Sequence, residues 1–423
     1  MLDINFIRDN LELVKKAAHN KQIDEGLIDR LILIDDRRRE LVSIFDDLRS
    51  QRNRAAKKRD VPLGKEIKIK LQELEPQLKN VQKEYQQLML QVPNLPSKDT
   101  PIGETDQDNR LVESWGQPRN FDFTPQDHIA LGKKLDLIDL EKGAVTSGFR
   151  GYYLKNSAAK LHFAVLFYAW QKIIEAGFTP MVPPTILREF ALVGSGHFPF
   201  FKEDVYQIAN PGYLVDEKET GESEYLAGTA EPSLLAYFAN TTLKEADLPI
   251  RVAGWTSCYR SEAGSYGRDT QGIYRVHEFA KVEQVVLCQN DYQISDQWLE
   301  KMKDISTQIL KDLELPYQVV QVCTGDMGAG KRKMYDINTW MPSRNSYSET
   351  HSDSNLTDWQ SRRLNIRYQN KQGERVFVHA LNNTVLASPR ILIAILENFQ
   401  EKDGSIIIPQ VLKNLVGADK ISA

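Results

Sequence analysis

Four residues near the middle of the chain carry side chains that could do chemistry together: Arg260, Glu262, Phe279 and Glu283. An arginine suits a phosphate or a carboxylate, because its planar fork makes two charge-assisted hydrogen bonds at once. An aromatic ring suits a purine base, by stacking. The pattern predicts a short apolar strand ending in Arg260-Ser261-Glu262, then a polar loop with Gly264, Gly267, Gly272, Arg268 and Arg275. A second, alternating strand follows from Val276 to Leu287. An antiparallel hairpin projects alternate side chains onto one face, so the four residues could share a surface. An edge hairpin with a solvated, charged loop fits the same letters.

Other stretches offer further chemistry. Gly325, Gly328 and Gly330 precede Lys331, Arg332 and Lys333, but the spacing is not that of a phosphate-binding GxxxxGK[ST] loop. Thr229-Ala230-Glu231 precedes an expected helix, where Thr and Glu also serve as ordinary N-terminal residues. Arg390 stands at another expected helix start, where a cation opposes the helix dipole and is tolerable if its partner is an anion. His162 and His197 read as structural.

Larger elements must position these groups. A chain of 423 residues holds two domains and a large core. The net charge of −4 advertises no global affinity for nucleic acid, so local charge must carry that argument. Cys258, Cys288 and Cys323 are widely spaced, which fits a reducing cytosol and gives neither a zinc nor a disulfide framework. The absence of a long apolar run predicts neither secretion nor membrane insertion, hence a cytoplasmic protein.

After a helical lead-in over residues 1–25, Leu27, Ile34, Leu41, Leu48 and Ala55 recur every seven residues, with Leu31 and Ile44 near the seam. Leu71, Leu78 and Tyr85, and Leu74, Val81 and Leu88, continue the pattern. It predicts two antiparallel heptad helices, the first over 27–58, joined by a turn at Asp60, Pro62 and Gly64. Pro76 should kink the second helix or restart it. Arg49, Arg52, Arg54, Lys57, Lys58, Arg59, Lys65, Lys68 and Lys70 crowd the tip against Asp60 and Glu66 alone. Such a hairpin can reach a phosphate backbone, though a solvated dimerising coiled coil has the same signature. Pro93 to Asp108 reads as a linker. In the body, helices are expected over 128–139 and 155–176, the latter capped by Gly177 and followed by a strand, FTPMVPP.

The stretch CYRSEAGSYGRDTQGIYRVHEFAKVE, Cys258 to Glu283, resembles motif 2 of class II aminoacyl-tRNA synthetases, in the form seen in seryl-tRNA synthetases. YRSEAG, GRDTQG, RVHEF and Glu283 carry the likeness. The helix and strand of about 160–185 resemble motif 1, the dimer interface, and Leu381 to Gln400 resembles motif 3. The resemblance implies an α+β protein. An antiparallel two-helix coiled-coil arm on a tRNA-binding domain, 1–100, precedes a catalytic domain, 101–423, built on a mostly antiparallel β-sheet flanked by helices. It implies a homodimer that uses ATP with Mg²⁺, without zinc, to charge serine tRNA with L-serine, and selenocysteine tRNA where one exists.

Roles follow by resemblance. Thr229, Ala230, Glu231, Arg260, Glu283, Asn382 and Thr384 would hold serine. Arg260, Ser261, Glu262, Val276, His277, Glu278, Phe279, Glu349, Thr350, His351, Ser352 and Arg390 would hold ATP, with Glu349 and Ser352 on the metal. Arg260, Glu349 and Arg390 would be catalytic, and the nine basic arm residues would meet tRNA. Departures stand at Lys331 and Arg332, where the family has small residues, and at Asn338, where it has an acid. A third is Asn383 to Arg390, where it often has G-S-G-x-A-x-G-R; there Thr384 keeps the hydroxyl of a serine-contacting Ser. A relative that loads a carrier protein would lack the arm. A non-catalytic RNA-binding scaffold would have lost Arg260, Glu349 or Arg390.

Overall fold

The computed structural model describes residues 1–210, 221–263 and 271–422. Gly264, Gly267 and Arg268 of the expected loop lie outside the described residues. The chain forms two compact units, Met1–Leu95 and Pro96–Ala423.

The first unit has four helices: α1 (Ile4–Asp9), α2 (Leu11–Asn20), α3 (Gly26–Lys58) and α4 (Val61–Gln91). α3 and α4 form the antiparallel arm, buried along Leu31, Leu41 and Ala55 on one side and Ile67, Leu71 and Leu78 on the other. The turn is tighter than expected. Arg59 takes a left-handed conformation (φ 58°), and Asp60 caps α4 by accepting from the Leu63 N–H at 3.1 Å. Pro62 and Gly64 are therefore inside α4. α4 also continues through Pro76 without a break. Pro76 and Gln72, whose carbonyl loses its partner, are both exposed, so water can take the freed bond. Ile44 is 42% exposed and leaves the seam, which passes through half-buried Phe45 and Leu48 instead.

At the arm's base the seam holds a carboxylate. Asp35 is wholly buried, with Arg8, Arg38 and Arg39 at 2.7, 2.6 and 2.9 Å. Burial pushes its carboxyl up, but the bonds from Arg38 and Arg8 outweigh that and hold it below the usual range. Asp35→Ala leaves these cations without their shared partner and should destabilise this unit by about 3 kcal/mol. Amide exchange of α3 in the full chain reads the loss. A folded-state value below the unfolded one of about 3.9 makes the difference between wild type and variant complete above that pH and smaller as pH falls below it. An unchanged exchange pattern at neutral pH would show the cluster to be neutral in energy.

The second unit is built on eight strands: β1 (Arg110–Trp115), β2 (Thr179–Met181), β3 (Ile250–Tyr259), β4 (Glu278–Cys288), β5 (Tyr317–Gln321), β6 (Lys333–Met341), β7 (Ser346–Thr357) and β8 (His379–Ala387). Their order is β1-β5-β6-β7-β8-β4-β3-β2, antiparallel except for β2 against β3. The helices used below are α5 (His128–Lys134), α6 (Asn156–Glu175), α7 (Glu231–Ala236), α8 (Tyr292–Asp312), α9 (Trp359–Leu364) and α10 (Ser388–Asn398). α5 stops short of the expected residue 139, because Asp136 turns left-handed (φ 53°) and residues 138–139 form a short strand. Gly177 follows α6 at φ 83°, as a C-cap glycine does.

The sheet is covered on both faces. Val282 and Val286 of β4 join a core with Leu161 of α6, Leu299 of α8 and Ile391 of α10. Val285 and Leu287 face a second core with Leu234 of α7 and Leu364 of α9. The central hairpin is longer at its start and shorter at its end than expected. Ten residues of β3 pair with β4, which begins at Glu278 rather than Val276.

Candidate active site

Where the alternation of β4 runs past the second core, the same face turns Phe279, Lys281 and Glu283 into a cavity of 330 Å³. Its floor is polar and buried. Glu283 and Thr384 stand opposite one another on β4 and β8. Lys281 forms an ion pair with Glu283 and donates to Thr229 Oγ1 at 2.8 Å. Glu231 Oε1 accepts from Asn382 at 2.8 Å and from Gln360 at 2.5 Å. Burial pushes the Glu283 carboxyl up, against the pull of Lys281. Arg260 leans over the Phe279 ring at 5.3 Å and donates to the Gly228 carbonyl at 3.2 Å.

Two β-bulges decide which side chains reach this space. Strict alternation would put Glu349 and Ser352 on opposite faces of β7. Between β6 and β7 the register slips at Ile337/Asn338, so Thr350 is extra and both side chains line the cavity. A second slip, at Thr384/Leu386 on β8, puts Ala387 beside Thr384 on the cavity side and aims the chain into α10. Arg390, in the first turn of α10, donates to the Glu349 carbonyl at 2.9 Å and lies 3.3 Å from its carboxylate. Burial works against its charge, but Glu349 outweighs burial and raises the guanidinium further. Across the mouth, Arg275 and Arg150 flank Glu262 at 3.2 and 3.5 Å.

The cavity gathers most of the expected residues: Thr229, Glu231, Arg260, Glu262, Val276, Phe279, Glu283, Glu349, Thr350, His351, Ser352, Asn382, Thr384 and Arg390. Four are placed elsewhere. Ala230 is packed in the second core. Ser261 turns away and donates to the Glu203 carbonyl at 2.5 Å. His277 and Glu278 face a separate cavity of 590 Å³; alternation puts Glu278 on the side of β4 opposite Phe279, and His277 holds the Arg260 backbone. Asn338 does not line the site. Of the two histidines read as structural, His162 is held by Ser388. His197 lines the cavity, with burial pulling it down to about 3. The nine basic arm residues are all exposed, and Lys70 pairs with Glu66 at 2.6 Å.

Sequence reasoning missed several lining residues. Lys281 lies in the same alternating register as Phe279 and Glu283, which was the available signal. Tyr274 follows the loop glycines and meets Arg390, an approach no local pattern announces. Lys331, at a position where small residues were expected, lines the cavity, and its charge reaches Glu283 and Asp336. Asp336 stands opposite Ser352 and is half-buried, its carboxyl pushed well up by desolvation and by Glu349 and Asp326. Asp336 Oδ1 has no hydrogen-bond partner. A crowded, partly unsatisfied carboxylate beside Glu349 and Ser352 fits a place where a cation belongs, although no group of three or more His, Cys, Asp or Glu among the described residues could hold a metal alone.

Comparison with known proteins meets this geometry at both ends of the chain. Residues 1–59 match the seryl-tRNA synthetase N-terminal domain, and residues 213–399 match the class II tRNA synthetase core domain of the G, H, P, S and T group. A serine–tRNA ligase of Deinococcus radiodurans is 41% identical over 434 residues, covering 100% of this chain and 99% of that protein. The crystal structure of seryl-tRNA synthetase from Pyrococcus horikoshii complexed with ATP superposes with a TM-score of 0.89 at 35% identity, over 100% of this chain and 99% of that one. The cytoplasmic serine–tRNA ligase of Naegleria fowleri in complex with AMP gives 0.88 at 29% identity, with the same coverage. With arm, hairpin and cavity all falling inside likenesses that span its whole length, the chain belongs to the seryl-tRNA synthetase family.

Proposed function

We propose that this chain activates L-serine with ATP and passes the seryl group to the 3′ end of serine tRNA. The observation that carries the reading is the cavity itself. Two arginines, Arg260 and Arg390, and an aromatic ring, Phe279, share it with a floor of buried acids and amides.

Serine's carboxylate is ionised at neutral pH and needs no base. Its oxygen attacks the α-phosphorus, and the bond to pyrophosphate breaks with its electron pair leaving on pyrophosphate. Catalysis is then placement and charge neutralisation. Arg260 holds the carboxylate near the α-phosphate, Phe279 stacks on adenine beside Glu262, and Arg390 grips the departing phosphates. Glu231 and Asn382 take the serine ammonium; Glu283, Thr229 and Thr384 take the hydroxyl. Glu349 and Ser352, with Asp336 behind them, would hold Mg²⁺, which supplies neutralisation of phosphate charge. In the second step the terminal 3′-hydroxyl of tRNA attacks the seryl carbonyl and AMP leaves.

The exposed apolar stripe of α6, Phe163, Phe167 and Ile174, supports pairing with a second copy. Among the described residues no helix is long and apolar enough to cross a membrane. The basic arm tip supports an approach to the tRNA backbone. Serine-dependent pyrophosphate exchange, followed by charging of serine tRNA, tests the reading. Exchange driven by another amino acid, and not by serine, would overturn it.

The floor also predicts how the site discriminates. Alanine leaves the groups around Glu283 and Thr384 unpaired, a loss worth ~10⁴ or more in kcat/KM. Threonine keeps the hydroxyl and is excluded only by volume, a weaker sieve. Alanine should therefore be activated far less than threonine. Equal activation would remove Thr229, Glu283 and Thr384 from the reading of the side chain.

A further inference from the structure

His128 opens α5, and its buried ring ties together three segments distant in sequence. Its backbone N–H donates to Glu397 Oε1 at 3.0 Å, and its Nδ1 meets the same oxygen at 3.0 Å. The Ile273 N–H donates to Nε2 at 3.3 Å. Nε2 is thus an acceptor, so the single ring proton sits on Nδ1 and is donated to Glu397. Glu397 is wholly buried, and its other oxygen accepts from the Ser343 N–H at 3.0 Å. Burial pushes its carboxyl up, but the bonds from His128 and Ser343 outweigh that and keep it ionised.

The tethers lead toward the phosphate end of the cavity, which Tyr274 and Arg390 line and which Arg344 approaches through the Tyr274 ring. Ile273 precedes Tyr274, Ser343 precedes Arg344, and Glu397 lies about two helical turns from Arg390 on α10. The Tyr274 ring is met by both guanidiniums, Arg344 at 4.3 Å and Arg390 at 4.5 Å. Its hydroxyl donates to the Glu349 carbonyl at 2.9 Å. The junction at Ile273 has no slack. Gly272 has φ 70°, and a Cβ there would come within 2.0 Å of His128 Nε2. The serine-side groups bond to one another and to Lys281: Glu231 accepts from Asn382, and Glu283 pairs with Lys281.

We propose that the His128–Glu397 pair is a positioning device for ATP. It holds Tyr274 and Arg344 in register with Arg390 and so sets where the phosphates are gripped. The inference rests on the ATP site argued above. A purely structural pair would, when removed, weaken both substrates together. A positioning pair splits them.

Steady-state pyrophosphate exchange by the full chain reads the split. His128→Ala should raise the KM for ATP by about tenfold, as a small misplacement of reacting groups does. The KM for serine should stay within about twofold. His128→Gln puts an amide oxygen where Nε2 accepts from Ile273 and should recover most of the ATP KM. His128→Asn reaches Glu397 alone and should not. Gly272→Ala approaches the same junction from the loop side and keeps the test open if His128→Ala does not fold. It should raise the ATP KM, and raise it less when His128 is already alanine, because the two changes act on one junction. ATP and serine KM rising together, Gln rescuing no better than Asn, or an untouched ATP KM in Gly272→Ala would each overturn the proposal. A wild-type chain without serine-dependent exchange would overturn instead the functional reading beneath it.

Discussion

Replacing Arg390 with alanine will leave the protein folded and cut serine-dependent pyrophosphate exchange by ~10²–10³, or about 2.7–4 kcal/mol of transition-state stabilisation. The side chain lines the cavity rather than the core, so its removal opens no void among buried apolar groups. Its partner Glu349 is 45% exposed and keeps its hydration when the guanidinium goes. The missing interaction is then one made to the departing phosphates, whose charge grows as the bond breaks. Arg390→Lys keeps the charge but not the fork, so it should recover only part of the rate. Circular dichroism checks the fold, and exchange within about threefold of wild type would remove Arg390 from the phosphate grip.

Much of this was legible in the sequence because it rests on periodicity. A seven-residue repeat announced α3 and α4, and a two-residue repeat announced that Phe279 and Glu283 share a face. What periodicity hides is where it breaks. Thr350 and Val385 are extra residues in otherwise paired strands, and each moves a site residue to the other face. Nothing in the letters around Thr350 distinguishes a bulge from a regular strand, because the slip is defined only against the partner strand. The same reason hid Asp336, whose relation to Ser352 exists only in the register of β6 against β7.

Other misses came from residues whose type argued for the opposite environment. An aspartate at position 35 reads as a solvated helix face, yet three arginines make it a buried anchor. His128 carried no signal at all in sequence. Its partners lie at Ile273 and Glu397, and only the fold brings them together. Ser261, His277 and Glu278 stand next to cavity residues in sequence, yet strand alternation and local bonds keep their side chains outside the cavity. The strand geometry gives His277 the task of holding the backbone of Arg260, which is a reason for a histidine there that involves no ligand.

Shortening the arm should separate the two half-reactions. Leu31 and Leu88 belong to a small core with Ile7 and Val14 at the arm's base, so the cut must lie beyond them. Removing Val42 to Gln77 and closing Leu41 to Leu78 with a short Gly/Ser turn keeps that core and deletes all nine tip cations. The residues assigned to serine and ATP all lie beyond residue 228, within the second unit, so pyrophosphate exchange should stay at the level of the full chain. Charging of serine tRNA should fall steeply, because no cation remains at the tip to meet the phosphate backbone. A milder variant replaces Arg54, Lys57, Lys58 and Arg59 with serine. All four are exposed, so the change should cost little stability. Every cation–phosphate pairing removed should flatten the salt dependence of tRNA binding by up to about 0.7–0.9 in log–log slope. Full charging of serine tRNA by the shortened chain, with an unaltered salt slope in the four-serine variant, would show that the tip is a solvated coiled-coil end and that the tRNA is read elsewhere.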